Sequence, residues 1–302
     1  MGYGFMEKVL IAGSTGYLGS CAVRIFKEHG YYVRALVRNI AKVEPVKKYI
    51  DDIFEGQVTR PETLEGVCDD MDYVFSSLGI TRQPDKATYM DVDYGGNKHI
   101  LDRARKAAVK KFIYTAVFMP AHIPANIEIF RVKEKFVDEL KRSGMDYAII
   151  RPTGFFSDMR EVFKMALSGR AYLIGGGRYK SNPIDGADLA RVCVNALTHP
   201  QKEIPCGGPE IYTGREVAEL AFSVLGKEPK IINIPEWFVR FVARSVSPFL
   251  SSRNRGALEF MLTAFLNDFI APAHEGKSLK DYFVELAQAA GYRLSGKDTS
   301  SA

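Results

Sequence analysis

Three glycines spaced three apart, Gly13, Gly16 and Gly19, follow directly on the apolar run Val9-Leu10-Ile11-Ala12. The run is continuous rather than alternating, the pattern of a strand buried on both faces of a parallel sheet. From Tyr17 onward Leu18, Ala22, Ile25 and Phe26 recur near helical spacing, and His29-Gly30 supplies a stop. The glycines therefore lie on a strand-to-helix turn. There a missing side chain lets a ligand approach the backbone, and the first N–H groups of the helix are open to an anion. One reading is an ordinary βαβ turn. The other is a phosphate cradle in which Gly13, Ser14, Thr15, Gly16, Tyr17, Leu18 and Gly19 hold a nucleotide. The spacing G-x-x-G-x-x-G is not the commoner G-x-G-x-x-G, but strand, glycine turn, helix and a second strand at Tyr32 to Val37 come in the order the nucleotide reading requires.

Strand and helix patterns keep alternating through the first half. A polar helix is predicted around 41–50, a short strand and turn in "DDIFEGQVT", a helix in "PETLEGV", and a strand in "MDYVFSSLG" that ends on Ser77, Leu78 and Gly79. "DVDYGGNKHILDRARKAAV" reads as a helix, "KKFIYTAVF" as a strand, and "IEIFRVKEKFVDELKRSG" as a helix closed by Gly144. "MDYAIIRPTGFF" is the next strand with its exit loop. This order implies right-handed βαβ crossovers and a doubly wound parallel sheet of the α/β class, with ligands at the carboxyl ends of the strands. After about residue 155 the pattern changes to a Gly-rich turn, a helix for which Asp188 is the expected cap, and short strands mixed with long apolar helices. The expected division is a nucleotide-binding domain over 1–155, with a returning segment near 180–200, and a smaller α/β lobe over 156–302 for a substrate or partner.

Composition narrows the function classes. A chain of 302 residues, 46% apolar and 25% charged, is an ordinary globular sequence. Its net charge of +5 comes from scattered Lys and Arg, without the clustered basic face, interleaved with aromatics, that nucleic-acid binding needs. Cys21, Cys68, Cys193 and Cys206 have no paired spacing, which argues against a disulfide framework or a zinc site and fits a reducing cytoplasm. The first strand begins almost at the first residue, leaving no room for a signal peptide. No apolar run reaches the roughly 20 residues of a membrane span. The nearest, "PEWFVRFVARSVSPFL" at 235–250, is interrupted by Arg240 and Arg244. It reads as a helix packed on the domain or on another subunit of a homo-oligomer, or as a peripheral membrane contact with Trp237 and the two arginines at the surface.

The segments "GSTGYLG", "VRALVRN", "VDYGGNKHILDRARKAAVKKFIYT", "YAIIRPTGFF" and "NPIDGADLA" stand in the order and spacing of one family. With them the chain resembles the short-chain dehydrogenase/reductase superfamily, in its extended and atypical branches with the NmrA-like proteins. The resemblance runs from about residue 7 to 200, and "GKSLKDYFVELA" near the C-terminus is similar to the atypical group. It implies a Rossmann-type fold and NAD(P) as cofactor. In NAD-binding relatives the second strand ends in an acidic residue that bonds the ribose 2′-hydroxyl. Here the strand ends in Arg38, with Lys42 a turn further on, and a guanidinium suits the 2′-phosphate of NADP. Where the family often has Gly-Asp after the third strand, this chain has Gly56-Gln57. The resemblance also places Ser77, Leu78 and Gly79, and the loop Pro152, Thr153, Gly154 and Phe155, along the cofactor.

Conventional members of the superfamily use a Ser or Thr after the fifth strand and a Tyr-x-x-x-Lys helix. "YGGNK", Tyr94 to Lys98, has that spacing but precedes the strand it should follow, and reads as a structural helix. At the matching place the chain has "IFRVK": Lys133 is present, Ile129 replaces the Tyr, and the Ser position falls near Thr115-Ala116. Lys133 is the one catalytic candidate, with the ribose hydroxyls as its target. The proton would come from Lys133, Tyr94, His122 or water. Two functions follow from this reading. One is an atypical NADP(H)-dependent reductase of a conjugated or quinone-like apolar small molecule, its site lined by Phe155, Phe156, Met159, Phe163, Tyr172 and Tyr179. The other is a non-catalytic NADP(H)-binding redox sensor of NmrA-like type.

Overall fold

A computed structural model describes residues 6–80, 87–123, 127–250 and 252–292. In chain order its regular elements are β1 (Lys8–Ala12), α1 (Tyr17–Glu28), β2 (Tyr32–Val37), β3 (Asp52–Glu55), β4 (Tyr73–Ser76), α2 (Asn97–Lys106), β5 (Lys111–Thr115), α3 (Glu128–Arg142) and β6 (Asp146–Pro152). There follow α4 (Phe156–Leu167), β7 (Ala171–Ile174), β8 (Lys180–Ser181), α5 (Gly186–Asn195), β9 (Glu203–Cys206), β10 (Tyr212–Thr213), α6 (Gly214–Val224), β11 (Ile231–Ile234), α7 (Glu236–Val246), α8 (Ser252–Phe265) and α9 (Leu279–Ala289).

Seven strands form one parallel sheet in the order β3-β2-β1-β4-β5-β6-β9. The apolar strand runs fill two cores, one on each face. One is built around Phe112, Tyr114, Ile100, Val132 and Phe136, under α2 and α3. The other joins Phe26, Phe75, Ile113 and Leu189, under α1 and α5. This is the doubly wound Rossmann-type arrangement, and the strand order reverses between β1 and β4, where a crevice opens at the carboxyl ends. A third core, with Phe156, Phe163, Phe222 and Phe283 from α4, α6 and α9, lies in the C-terminal half beside the two small sheets β8–β10 and β7–β11.

Several local readings change. The segment read as a polar helix at 41–50 is a 3-10 helix, Ile40–Tyr49, started by the Asn39 side chain accepting from the Ala41 N–H. Pro45 within it has no N–H for an α-helical bond. "PETLEGV" shortens to one 3-10 turn, Pro61–Leu64. The helix read from "DVDYGGNK" begins as a π-helical stretch, Met90–Gly96, before α2. Asp188 does not cap α5: Asp185 does, accepting from the Ala187 N–H at 2.8 Å. Asp188 is buried one turn in, accepts from the Lys277 N–H at 2.7 Å and pairs with Arg191, so it ties the "GKSLKDYF" segment to the domain. Phe156 and Phe163 are both in the third core, where apolar burial stabilises them, and do not line an accessible site.

Candidate cofactor site

The three glycines of the first turn do three different things. Gly13 has φ +86°, and a Cβ there would lie 2.9 Å from the Ser77 Oγ, so it permits both a left-handed turn and the close approach of β1 to β4. Gly16 is exposed, and its N–H closes the turn on the Gly13 carbonyl at 2.9 Å. Gly19 is buried inside α1, where a Cβ would overlap the Gly13 carbonyl oxygen and lie 2.6 Å from its carbon. Helix and turn pack that closely only with glycine. The first intrahelical bond runs from the Ser20 N–H to the Gly16 carbonyl, and no side chain caps the helix. The N–H groups of Tyr17, Leu18 and Gly19 therefore have no intrahelical partner and carry the positive end of the helix dipole. These residues fit a pyrophosphate: donors without an intrahelical acceptor, beside backbone that no Cβ covers.

The side chains between the glycines face elsewhere. The Ser14 hydroxyl is buried and donates to the Leu36 carbonyl at 3.1 Å, anchoring the turn to β2. Leu18 is buried in the core beneath α1. The Tyr17 hydroxyl accepts from the Gly186 N–H at 3.0 Å at the start of α5, and its ring meets Phe155 edge-on at 5.8 Å. Burial, reinforced by Asp185, pushes the Tyr17 phenol well above its ordinary range, so it stays neutral. Ser14, Tyr17 and Leu18 offer a phosphate their N–H groups only; Thr15 is exposed at the tip of the turn.

Across the crevice, Ser77, Leu78 and Gly79 leave β4 beside Gly13. Here the structure brings in a residue not singled out from the sequence. Asp93, fully buried, accepts from the Ile80 N–H at 3.0 Å and pairs with the Lys133 Nζ at 3.0 Å. Asn97, also buried, takes the Ser76 hydroxyl on its side-chain oxygen and donates to the Asp93 carbonyl at 2.8 Å. A Cβ on Gly79 would lie 2.9 Å from Asp93 Oδ1 and 3.2 Å from Lys133 Nζ, so glycine leaves this pair open to the end of β4. The Lys133 ammonium also lies over the Tyr114 ring, 5.6 Å from its centroid. Burial by itself would lower the Lys133 pKa, but Tyr114 and Asp93 beside it carry it above the ordinary lysine value. Burial pushes the Tyr114 phenol up to about 12. At neutral pH the Lys133 ammonium therefore lies beside a neutral Tyr114 phenol. The sequence signal for Asp93 was its place directly before Tyr94 in "VDYGGNK".

Arg38 is exposed at the end of β2, and Lys42 is exposed on the 3-10 helix that follows. Gln57 is held by Thr63 and Thr59, through its N–H and side-chain amide respectively. At the end of β6 the Pro152 carbonyl accepts from the Phe118 N–H, and in the loop that follows the Thr153 hydroxyl donates to the Asn182 carbonyl at 2.7 Å. A Cβ on Gly154 would meet nothing within 4 Å. Phe155 bridges to Ile184. Ala116 is buried and Ile129 packs against the α3 core, neither side chain having a hydroxyl, and the Thr115 hydroxyl next to Ala116 belongs to a buried residue of β5. Lys98 pairs with Asp102 and Glu139, and Tyr94 lies under Lys135, 4.2 Å from nitrogen to ring centroid. His122 is exposed.

The chain is 27% identical over 250 residues to photosystem II assembly factor Ycf39 of Synechocystis, covering 80% of this chain and 74% of the relative. It is 28% identical over 260 residues to the chloroplastic divinyl chlorophyllide a 8-vinyl-reductase of Arabidopsis thaliana, covering 78% of this chain and 61% of that one. Among solved structures, the triphenylmethane reductase of Citrobacter sp. complexed with NADP(H) has the same fold, with a TM-score of 0.70 at 17% identity over 94% of this chain and all of that one. A family model described as NAD(P)H-binding matches residues 13–200, from the first glycine of the turn to the end of the segment that returns through α5. The chain belongs to this NAD(P)H-binding family.

Proposed function

We propose that the protein is an NADP(H)-dependent reductase whose acceptor is a conjugated or quinone-like apolar small molecule. The observation that carries this reading is the pairing of a fixed Lys133 ammonium at the exit of β4 with Ile129 and Ala116 where a hydroxyl proton donor would stand. Residues 1–155, with the returning segment, hold the cofactor, and the lobe over 156–302 holds the acceptor. The glycine turn would bind the pyrophosphate, Arg38 and Lys42 would take the 2′-phosphate, and Lys133 would bond the ribose hydroxyls. When bound, the reduced nicotinamide supplies a hydride, two electrons and a proton, to the acceptor. Paired with Asp93 at 3.0 Å, the Lys133 ammonium would orient the cofactor. A conjugated acceptor spreads the charge it receives and takes its second proton from water. A ketone's alkoxide would need a hydroxyl acid at the positions that Ile129 and Ala116 occupy.

The test is NADPH consumption across a panel of quinones, azo dyes and vinyl-substituted conjugated rings. Turnover should fall at least about tenfold in Lys133→Ala, the loss of a charged hydrogen bond to the cofactor. It should stay within about twofold in Tyr94→Phe, which keeps the ring that packs under Lys135. A large loss in Tyr94→Phe with cofactor binding intact would place Tyr94 in the chemistry. The likeness to an assembly factor favours a second reading, a cofactor-dependent binding protein. No turnover across the panel, with partners that change when NADP(H) binds, would replace the reductase by that sensor.

A further inference from the structure

The apolar face of α7 points outward. Trp237, Phe238, Phe241, Val242 and Val246 recur on one side of the helix, and all are exposed, Trp237 to 71%. Phe249, in the 3-10 turn that follows, is 88% exposed. The side toward the body carries Val239, Ala243 and Glu236, each half-buried, and no residue of α7 is fully buried. A helix packed on its own domain has the opposite orientation. Arg240 and Arg244, both exposed, run along one edge of the apolar face. The one acid of α7, Glu236, is turned inward and paired with Arg178 at 2.8 Å. Arg255, exposed at the start of α8, adds a third guanidinium nearby in sequence.

We infer that α7 and Phe249 form a docking surface for an anionic lipid bilayer, lying in the headgroup layer. Aromatic rings beside arginines are the composition of an interfacial helix: the rings enter the acyl boundary while the guanidinium groups meet lipid phosphates. At 11 residues α7 is about 16 Å long. Among the described residues no helix is long and apolar enough to cross a membrane, so this is a surface contact. A second copy of the chain fits the same face poorly. Pairing two such faces antiparallel would bring the Arg240 and Arg244 rows together with no exposed acid on α7 to receive them. The inference does not depend on the reductase reading, since α7 supplies no residue to the cofactor crevice.

Trp237 is the single tryptophan of the chain, so its fluorescence reports on this helix alone. The probes are phosphatidylcholine vesicles with and without phosphatidylglycerol. With phosphatidylglycerol, Trp237 emission should shift to the blue and the protein should co-sediment, at least about tenfold more tightly than with phosphatidylcholine alone. The double variant Arg240→Glu/Arg244→Glu should lose that preference, and Phe241→Asp should lose the binding, both with unchanged circular dichroism and NADPH affinity. No binding to anionic vesicles, or equal binding to both kinds, would overturn the assignment. So would light scattering that shows a dimer dissolved by Phe241→Asp, which would give the face to a second copy.

Discussion

Gly19→Ala should cost the protein about 3 kcal/mol of stability, the upper end of what overpacking a tight site costs. The added methyl would overlap a backbone carbonyl oxygen, which cannot swing away as a side chain can. To make room, α1 would have to lift from the turn and disturb Ile25, Phe26 and Ala22 in the core beneath it. Urea unfolding of the variant, against the unaltered chain, measures the loss. Three residues earlier the outcome should reverse. Gly16 has extended backbone, φ −80° and ψ 173°, which any residue adopts, and a Cβ there meets only the Gly13 carbonyl oxygen, at 3.2 Å. Gly16→Val should therefore fold but place a branched side chain where the pyrophosphate meets the helix N-terminus. Losing two charged hydrogen bonds there lowers NADPH affinity at least about a hundredfold. A stable Gly19→Ala, or a Gly16→Val that binds NADPH normally, would show that the turn is not built as described.

Asp93→Leu should be destabilising by about 3–5 kcal/mol, because it leaves the Lys133 ammonium buried without its partner. The same change frees the Ile80 N–H that Asp93 holds, so the strip from Ser77 to Gly79 loses an anchor. The double variant Asp93→Leu/Lys133→Met should recover much of the stability, since removing both charges removes the unpaired one. It should not recover NADPH affinity, because the ammonium is then gone. Urea midpoints for the four proteins of the cycle, with NADPH titrations beside them, separate the two effects. Equal stability of the single and double variants would mean that the pair does not hold this corner of the fold.

What the sequence discloses and what it conceals follow from how local each feature is. The glycine turn is legible because strand, turn and helix start lie within residues 8–28, and Gly13 and Gly19 each answer a backbone need nearby. The parallel sheet is legible because buried strands leave unbroken apolar runs. The Asp93–Lys133 pair joins residues 40 positions apart, and the π-helical stretch 90–96 helps to set where Asp93 points. Neither local propensity nor spacing reports that. Composition misleads about Phe156 and Phe163, since an aromatic residue suits a core and a ligand wall equally. Periodicity shows that α7 has an apolar face without showing which way it turns. Asp185 and Asp188 compete for one helix start, and the backbone turn at Asp185 decides it.

A cofactor bound at the β1–α1 turn would turn its 2′-phosphate toward the end of β2. Calorimetric titration of the unaltered protein and of Arg38→Ala with NADPH and with NADH tests this directly. NADPH should bind the unaltered protein several-fold more tightly than NADH, the difference expected from a guanidinium that meets a phosphate in one case and a neutral hydroxyl in the other. In Arg38→Ala the two affinities should converge while NADH binding holds. Equal affinities in the unaltered protein would remove Arg38 from the site, and binding of neither nucleotide would contradict the account itself.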